Sequence, residues 1–188
     1  LQNELINLSS SKADIVAENI RLKEELVDLR LLYKEKWKAF AKPKASKSKL
    51  KIGYVSPDFK KHSMQSFLLP TLAHHNHDKF EIFAFAELAN EDKVTQEYKS
   101  YVDHWIRTEK MNDDELVQKI RSLGIDILVD LAGHTRNNRL TVFAQKPAPV
   151  SLSWWIGYGY TTGLSAIDYF LTDKFMAPKG SEHLFSEK

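Results

Sequence analysis

Two histidines in this sequence stand where a ligand would be met. The segment GIDILVDLAGHTRNNRLTVFAQKPAP, residues 124–149, carries a buried-strand pattern in Ile125, Ile127, Leu128, Val129 and Leu131. That pattern runs straight into Gly133-His134-Thr135, and a polar turn rich in Asn and Arg follows. In open α/β sheets, ligands sit just beyond the carboxyl ends of the strands. A glycine that lets backbone come close, beside a titratable imidazole and a hydroxyl, is what such a strand end offers. Asp126 and Asp130 bracket the strand, and Asp130 is placed to face the same cleft. His134 could equally be a residue that holds the loop by a hydrogen bond.

His62 occupies a similar place. It follows an apolar run, LKIGYV, in the loop Ser56-Pro57-Asp58-Phe59-Lys60-Lys61-His62-Ser63 that leads into a helical pattern. A helix N-terminus at that point would offer backbone N–H groups to an anion. His62 could bind a phosphate or activate a hydroxyl. It could also be a capping or surface histidine. His74, His75 and His77 have the look of a metal cluster, but His-His-x-His at the end of a helix is also where cations suit the helix dipole.

A third candidate is Trp154-Trp155-Ile156-Gly157-Tyr158-Gly159-Tyr160-Thr161-Thr162-Gly163. Aromatic faces with converging polar groups suit sugars and bases. A core edge followed by a turn would use the same residues. No G-x-G-x-x-G fingerprint follows an early strand, and no Walker phosphate loop is present.

The elements that must position these residues alternate. Strands are predicted over residues 50–55, 80–86, 104–107, 125–131, 150–154 and 169–172. Helices are predicted over 64–75, with Pro70 as a kink, and over 92–101, 113–123 and 138–145. Strands separated by helices of this length imply βαβ units, a parallel sheet and right-handed crossovers. The fold class is therefore α/β, a Rossmann-like parallel sheet, preceded by a long helix. That helix is read over residues 13–41 from Ile15, Ile20, Leu22, Leu26, Leu29, Leu32 and Tyr33 at three- and four-residue steps. It suits a coiled coil, self-association or docking against a neighbouring domain. The expected organisation is a helical segment at 1–42, a basic linker at 43–49 and the α/β region at 50–188.

Composition limits the alternatives. The 43% hydrophobic content supports a packed core, and the absence of cysteine rules out disulfides and thiolate metal sites. A reducing, cytoplasmic setting is the expectation. No apolar run approaches a membrane span. Residues 34–51 hold eight lysines and one glutamate. Their Lys-Pro-Lys-Ala-Ser-Lys-Ser-Lys texture suits a solvated connector better than a nucleic-acid surface. The chain begins at Leu1 and closes on Ser186-Glu187-Lys188, and we read it as a piece of a longer protein.

Taken together and in order, LKIGYVSPDFKKHS, FEIFAFAEL, DHWI, GIDILVDLAGHTRNNRL, KPAPVSLSWW, GYTTG and IDYFLTD resemble glycosyltransferase family 41, in a bacterial-type member. That family holds the O-linked N-acetylglucosamine transferases and SPINDLY-like enzymes. The resemblance covers residues 50–188. It implies a GT-B enzyme of two Rossmann-like halves, of which this is the amino-terminal one. The donor is expected to be a nucleotide sugar, UDP-N-acetylglucosamine, and the acceptor a protein or peptide, with no cofactor and no metal. By motif position, His62 corresponds to a histidine near donor pyrophosphate and acceptor, the candidate catalytic residue. His134 and Thr135 correspond to a pair lining the active site. Gly157, with Tyr158, corresponds to the loop facing the donor sugar.

The pattern departs from the family's at two points. The usual Trp-Leu-Gly-Tyr-Pro-Gly-Thr is here Trp155-Ile156-Gly157-Tyr158-Gly159-Tyr160-Thr161, with an extra residue between Pro149 and Trp155. The amino-terminal helix also lacks tetratricopeptide repeats. The competing expectation is a non-catalytic α/β interaction module recruited through the amino-terminal helix, which the fold alone would allow.

Overall fold

A computed structural model of the chain describes residues 49–154 and 160–188. Six strands form one sheet: β1 (Leu50–Ser56), β2 (Phe80–Ala86), β3 (His104–Arg107), β4 (Ile127–Asp130), β5 (Val150–Ser153) and β6 (Tyr169–Phe170). Four helices lie between them: α1 (Gln65–Ala73), α2 (Lys93–Ser100), α3 (Asp113–Leu123) and α4 (Leu140–Ala144). All five strand pairings are parallel, in the order β3-β2-β1-β4-β5-β6. This is the doubly wound order, with its topological switch point between β1 and β4.

Period-two side-chain alternation builds a core on each face. Ile52, Tyr54, Ile82, Ala84 and Val129 pack with Leu68 and Leu72 of α1 and Tyr98 of α2. Val55, Phe83, Phe85 and Leu128 pack with Leu116, Val117 and Ile120 of α3 and Val142 and Phe143 of α4. The helices thus divide two and two between the faces. Gly53 lets β1 fit here, since a Cβ would come within 2.7 Å of the Phe85 ring.

The helix ends follow from local chemistry. Asp92 and Asn112 each close a capping box, with Thr95 and Glu115 respectively. Three acidic residues fill the first turn of α3, where the dipole favours them. Helix α1 has no side-chain cap and runs through Pro70. The fourth strand and fourth helix are shorter than their apolar patterns predicted. Asp126 ends the approach to β4 by accepting the Lys51 N–H at 3.0 Å, and Asn138 caps the turn before α4 by accepting the Leu140 N–H at 3.1 Å. Among the described residues no helix is long and apolar enough to cross a membrane.

Candidate active site

The loop after β1 carries His62. It is pinned by Lys61, whose N–H donates to the Asp92 carboxylate of the α2 cap at 2.8 Å. The Asp58 N–H donates to the Ser56 hydroxyl at 3.0 Å, which turns the chain out of the strand. The imidazole of His62 is exposed; its Nδ1 lies 3.9 Å from the Asp58 carboxylate and accepts a long bond from the Met64 N–H at 3.4 Å. The first-turn amides of α1 are already engaged, Gln65 N–H with the His62 carbonyl and Ser66 N–H with that of Ser63. The expected cradle of free amides at this helix start is therefore not formed by Gln65 and Ser66. The imidazole itself is what the loop presents.

The loop after β4 carries His134 and Thr135. Its shape is set by Asp130, the last residue of the strand. The Asp130 carboxylate is fully buried and accepts the N–H groups of Ala132 at 3.1 Å and Gly133 at 3.0 Å, and the Ser153 hydroxyl at 2.8 Å. Gly133 turns with φ of 52°, in the left-handed region where a side chain would be strained. Asp130 was expected to face the cleft and does not. Its oxygens point into the turn, because three donors there compensate a burial that would otherwise be prohibitive. Burial pushes its carboxyl above the usual carboxylate range, with the bonds from Ala132, Ser153 and Gly133 opposing that rise.

Beyond the turn, His134 is exposed and its Nε2 lies 3.3 Å from the Thr161 carbonyl. The Thr135 hydroxyl donates to the Ala132 carbonyl at 2.7 Å, so it closes the turn, with its remaining lone pairs as the acceptor capacity left to a ligand. The loops bearing His62 and His134 follow β1 and β4, which pair directly with Val55 opposite Asp130. Both histidines therefore emerge at the carboxyl edge, on the two sides of the switch point. Gly157 and Tyr158 lie outside the described residues, as do the amino-terminal helix and most of the basic linker.

A brace behind this edge was not singled out in the sequence. Arg139 donates to Glu87 at 2.9 Å, to Asp113 at 2.6 Å, and to the carbonyls of Thr108 and Met111 at 3.1 and 2.8 Å. The Thr108 hydroxyl also donates to Glu87, at 2.8 Å. One guanidinium thereby ties the loops after β2, β3 and β4 together. The signal available was Glu87, an acid placed directly after the apolar run FEIFAFA, opposite an arginine at the end of a polar turn.

The histidine cluster disperses. His74 bonds the Pro70 carbonyl, His75 meets the Tyr54 hydroxyl at 2.8 Å, and His77 pairs with Asp103 at 3.1 Å. Among the described residues no group of three or more His, Asp or Glu side chains could hold a metal ion.

A doubly wound α/β domain takes its ligands at the switch point, and here two imidazoles stand on either side of it. Comparison with known proteins narrows the class. The family model for glycosyl transferase family 41 matches residues 7–188, and the chain belongs to that family. It is 37% identical over 140 residues to a probable UDP-N-acetylglucosamine–peptide N-acetylglucosaminyltransferase SPINDLY of Oryza sativa subsp. japonica, covering 72% of this chain and 15% of that protein. It is 36% identical over 141 residues to the probable enzyme of the same description named SEC in Arabidopsis thaliana, covering 74% and 14%. Among solved structures, a mutant of Thermobaculum terrenum O-GlcNAc transferase matches with a TM-score of 0.74 and 35% identity, covering 79% of this chain and 29% of that one. The chain thus spans about 15% of the length of the curated relatives it matches.

Proposed function

We propose that this chain is the amino-terminal half of the catalytic region of an inverting glycosyltransferase. The whole enzyme transfers N-acetylglucosamine from UDP-N-acetylglucosamine to a Ser or Thr hydroxyl of a protein, in the cytoplasm. The observation that carries this reading is the placement of His62 and His134 on adjacent loops across the switch point of a family 41 domain. In the reaction the acceptor oxygen forms a bond to the anomeric carbon as the bond to the diphosphate oxygen breaks. The diphosphate leaves with the electron pair, and the hydroxyl proton passes to a base.

The residues divide the work by position. His62, exposed on a loop pinned by Asp92, orients the acceptor and the diphosphate. His134 and Thr135, on a turn fixed by Asp130, line the opposite wall. Gly157 and Tyr158 are assigned to the donor sugar by the resemblance of their sequence to the family's loop. No step here calls for a metal. Residues 1–42 serve docking or self-association rather than transfer.

The test is sugar transfer measured on two samples: this 188-residue chain, and a longer product of the same gene that includes a second Rossmann-like half. Transfer from UDP-N-acetylglucosamine to a Ser/Thr peptide by the longer protein alone is the expected result. Transfer by neither, or by the 188-residue chain unaided, contradicts the reading.

A further inference from the structure

The third loop at this edge is held by a side chain from far along the chain. Glu187 is buried, 7% exposed, and it takes three donors. The Thr161 hydroxyl donates to one carboxylate oxygen at 2.7 Å, the Thr162 N–H donates to the other at 2.8 Å, and the Thr162 hydroxyl shares that second oxygen. The Thr161 oxygen in turn accepts the N–H groups of Gly163 and Ser186, each at 3.0 Å. A buried carboxylate satisfied by three donors fixes the groups around it, since losing the geometry would leave polar atoms without partners.

Glu187 is itself fixed. The next residue, Lys188, donates its N–H to the Asp168 carbonyl at 3.0 Å and accepts the Phe170 N–H at 3.1 Å, so this stretch lies against β6. The Asp168 carboxylate accepts the Ser151 N–H at 2.8 Å and the Lys146 ammonium, which joins β6 to β5. The clamp is thereby anchored to the sheet.

The consequence falls on His134. Its Nε2 faces the carbonyl of Thr161, the residue whose side chain Glu187 grips. A carbonyl oxygen can only accept, so Nε2 must carry the hydrogen, and the neutral ring keeps its lone pair on Nδ1. The geometry points to Glu187 as a positioning residue: by holding the Thr161-Thr162 turn it fixes His134 in the Nε2–H form, with Nδ1 as the hydrogen-bond acceptor for a substrate hydroxyl. The substrate half of this statement rests on the proposed function; the clamp and the tautomer do not.

The test is read by NMR on this chain at a pH where the His134 ring 15N shifts themselves show a neutral imidazole. The imidazole 15N shifts of His134 report the tautomer, and NOEs from its ring to Thr161 report the contact. Wild type should show one Nε2–H tautomer and the NOEs. Glu187→Ala should lose the NOEs and move both nitrogens toward an exchanging mixture. Glu187→Gln sets an amide donor against the Thr161 or Thr162 donors in place of one of the two accepting oxygens, so it should move His134 toward the alanine result.

Identical His134 signals in wild type and Glu187→Ala, with the Thr162 amide shifted to show that its partner is gone, overturn the proposal. If the alanine variant does not fold, Glu187→Asp decides, because the shorter side chain withdraws the oxygens from the turn. An unchanged His134 there overturns the proposal equally. Neither readout uses nucleotide sugar, so an inactive enzyme leaves the test intact. A responsive tautomer beside full turnover of His134→Ala in the longer enzyme would retain the clamp and sink the assigned use of His134.

Discussion

Ser153 and Asp130 sit opposite one another in the parallel pairing of β5 with β4, and the serine hydroxyl donates to the aspartate at 2.8 Å. The two strand ends that feed the site are thus locked to each other before either loop begins. Replacing Asp130 by alanine leaves the Ala132 and Gly133 amides and the Ser153 hydroxyl buried without this acceptor. At about 1–3 kcal/mol for each unsatisfied buried donor, the loss should be about 3 kcal/mol or more. Asp130→Asn should cost far less. It retains an acceptor oxygen and removes a charge that burial disfavours, as the raised pKa of Asp130 indicates. Urea unfolding of both variants checks the order, and a larger loss for asparagine than for alanine would contradict it.

The Arg139 brace makes a second prediction. Its guanidinium meets two carboxylates and two carbonyls with little exposure of its own, so removing it takes the countercharge from the part-buried Glu87, which keeps only the Thr108 hydroxyl. Arg139→Ala should lower stability by about 3–5 kcal/mol. Arg139→Lys should recover only a small part, because a single ammonium cannot span four acceptors. Thermal unfolding measures both, and a lysine variant as stable as wild type would show that the fork geometry is unimportant.

Acid sensitivity supplies a third. Burial, and then the neighbouring His77 charge, hold the His75 pKa below its ordinary value of 6.5, with Asp103 pulling the other way. The Tyr54 hydroxyl opposite is pushed up to about 12, so it stays protonated, and it shares a hydrogen bond of 2.8 Å with the His75 Nε2. A depressed folded-state pKa means the unfolded chain binds the proton first. Stability from this site is therefore complete above 6.5 and is lost as pH falls from 6.5 through the lower folded value. His77 and Asp103 lie beside this site, so the informative quantity is the difference between wild type and His75→Gln. That difference should shrink as pH is lowered from about 7.5 toward about 5, across the ordinary histidine range; a pH-independent difference would refute the assignment.

Much of this was legible in the sequence, for physical reasons. β2, β3 and α3 carry uninterrupted periodicity between clear caps and coincide with their predicted bounds. The strand ends bearing His62 and His134 were readable because a parallel sheet puts all such ends on one side. Three features were not. Asp130 looks like a cleft acid until its turn folds back onto it. Arg139 meets partners 26 to 52 residues away. Glu187 acts on residues 25 and 26 positions earlier. Hydrogen bonds between distant loops leave no period in a sequence.

The central claim is that His62 acts on substrate rather than on the fold, and one paired measurement on the longer enzyme tests it most directly. Turnover with UDP-N-acetylglucosamine and thermal unfolding are recorded on the same samples of wild type and His62→Ala. The account predicts turnover lower by about 10²-fold or more, in the range for a positioned polar or acid–base group. It predicts a melting temperature close to wild type, because the exposed loop imidazole makes few core contacts. Wild-type turnover in a well-folded His62→Ala enzyme, or activity lost only in step with unfolded protein, would contradict it.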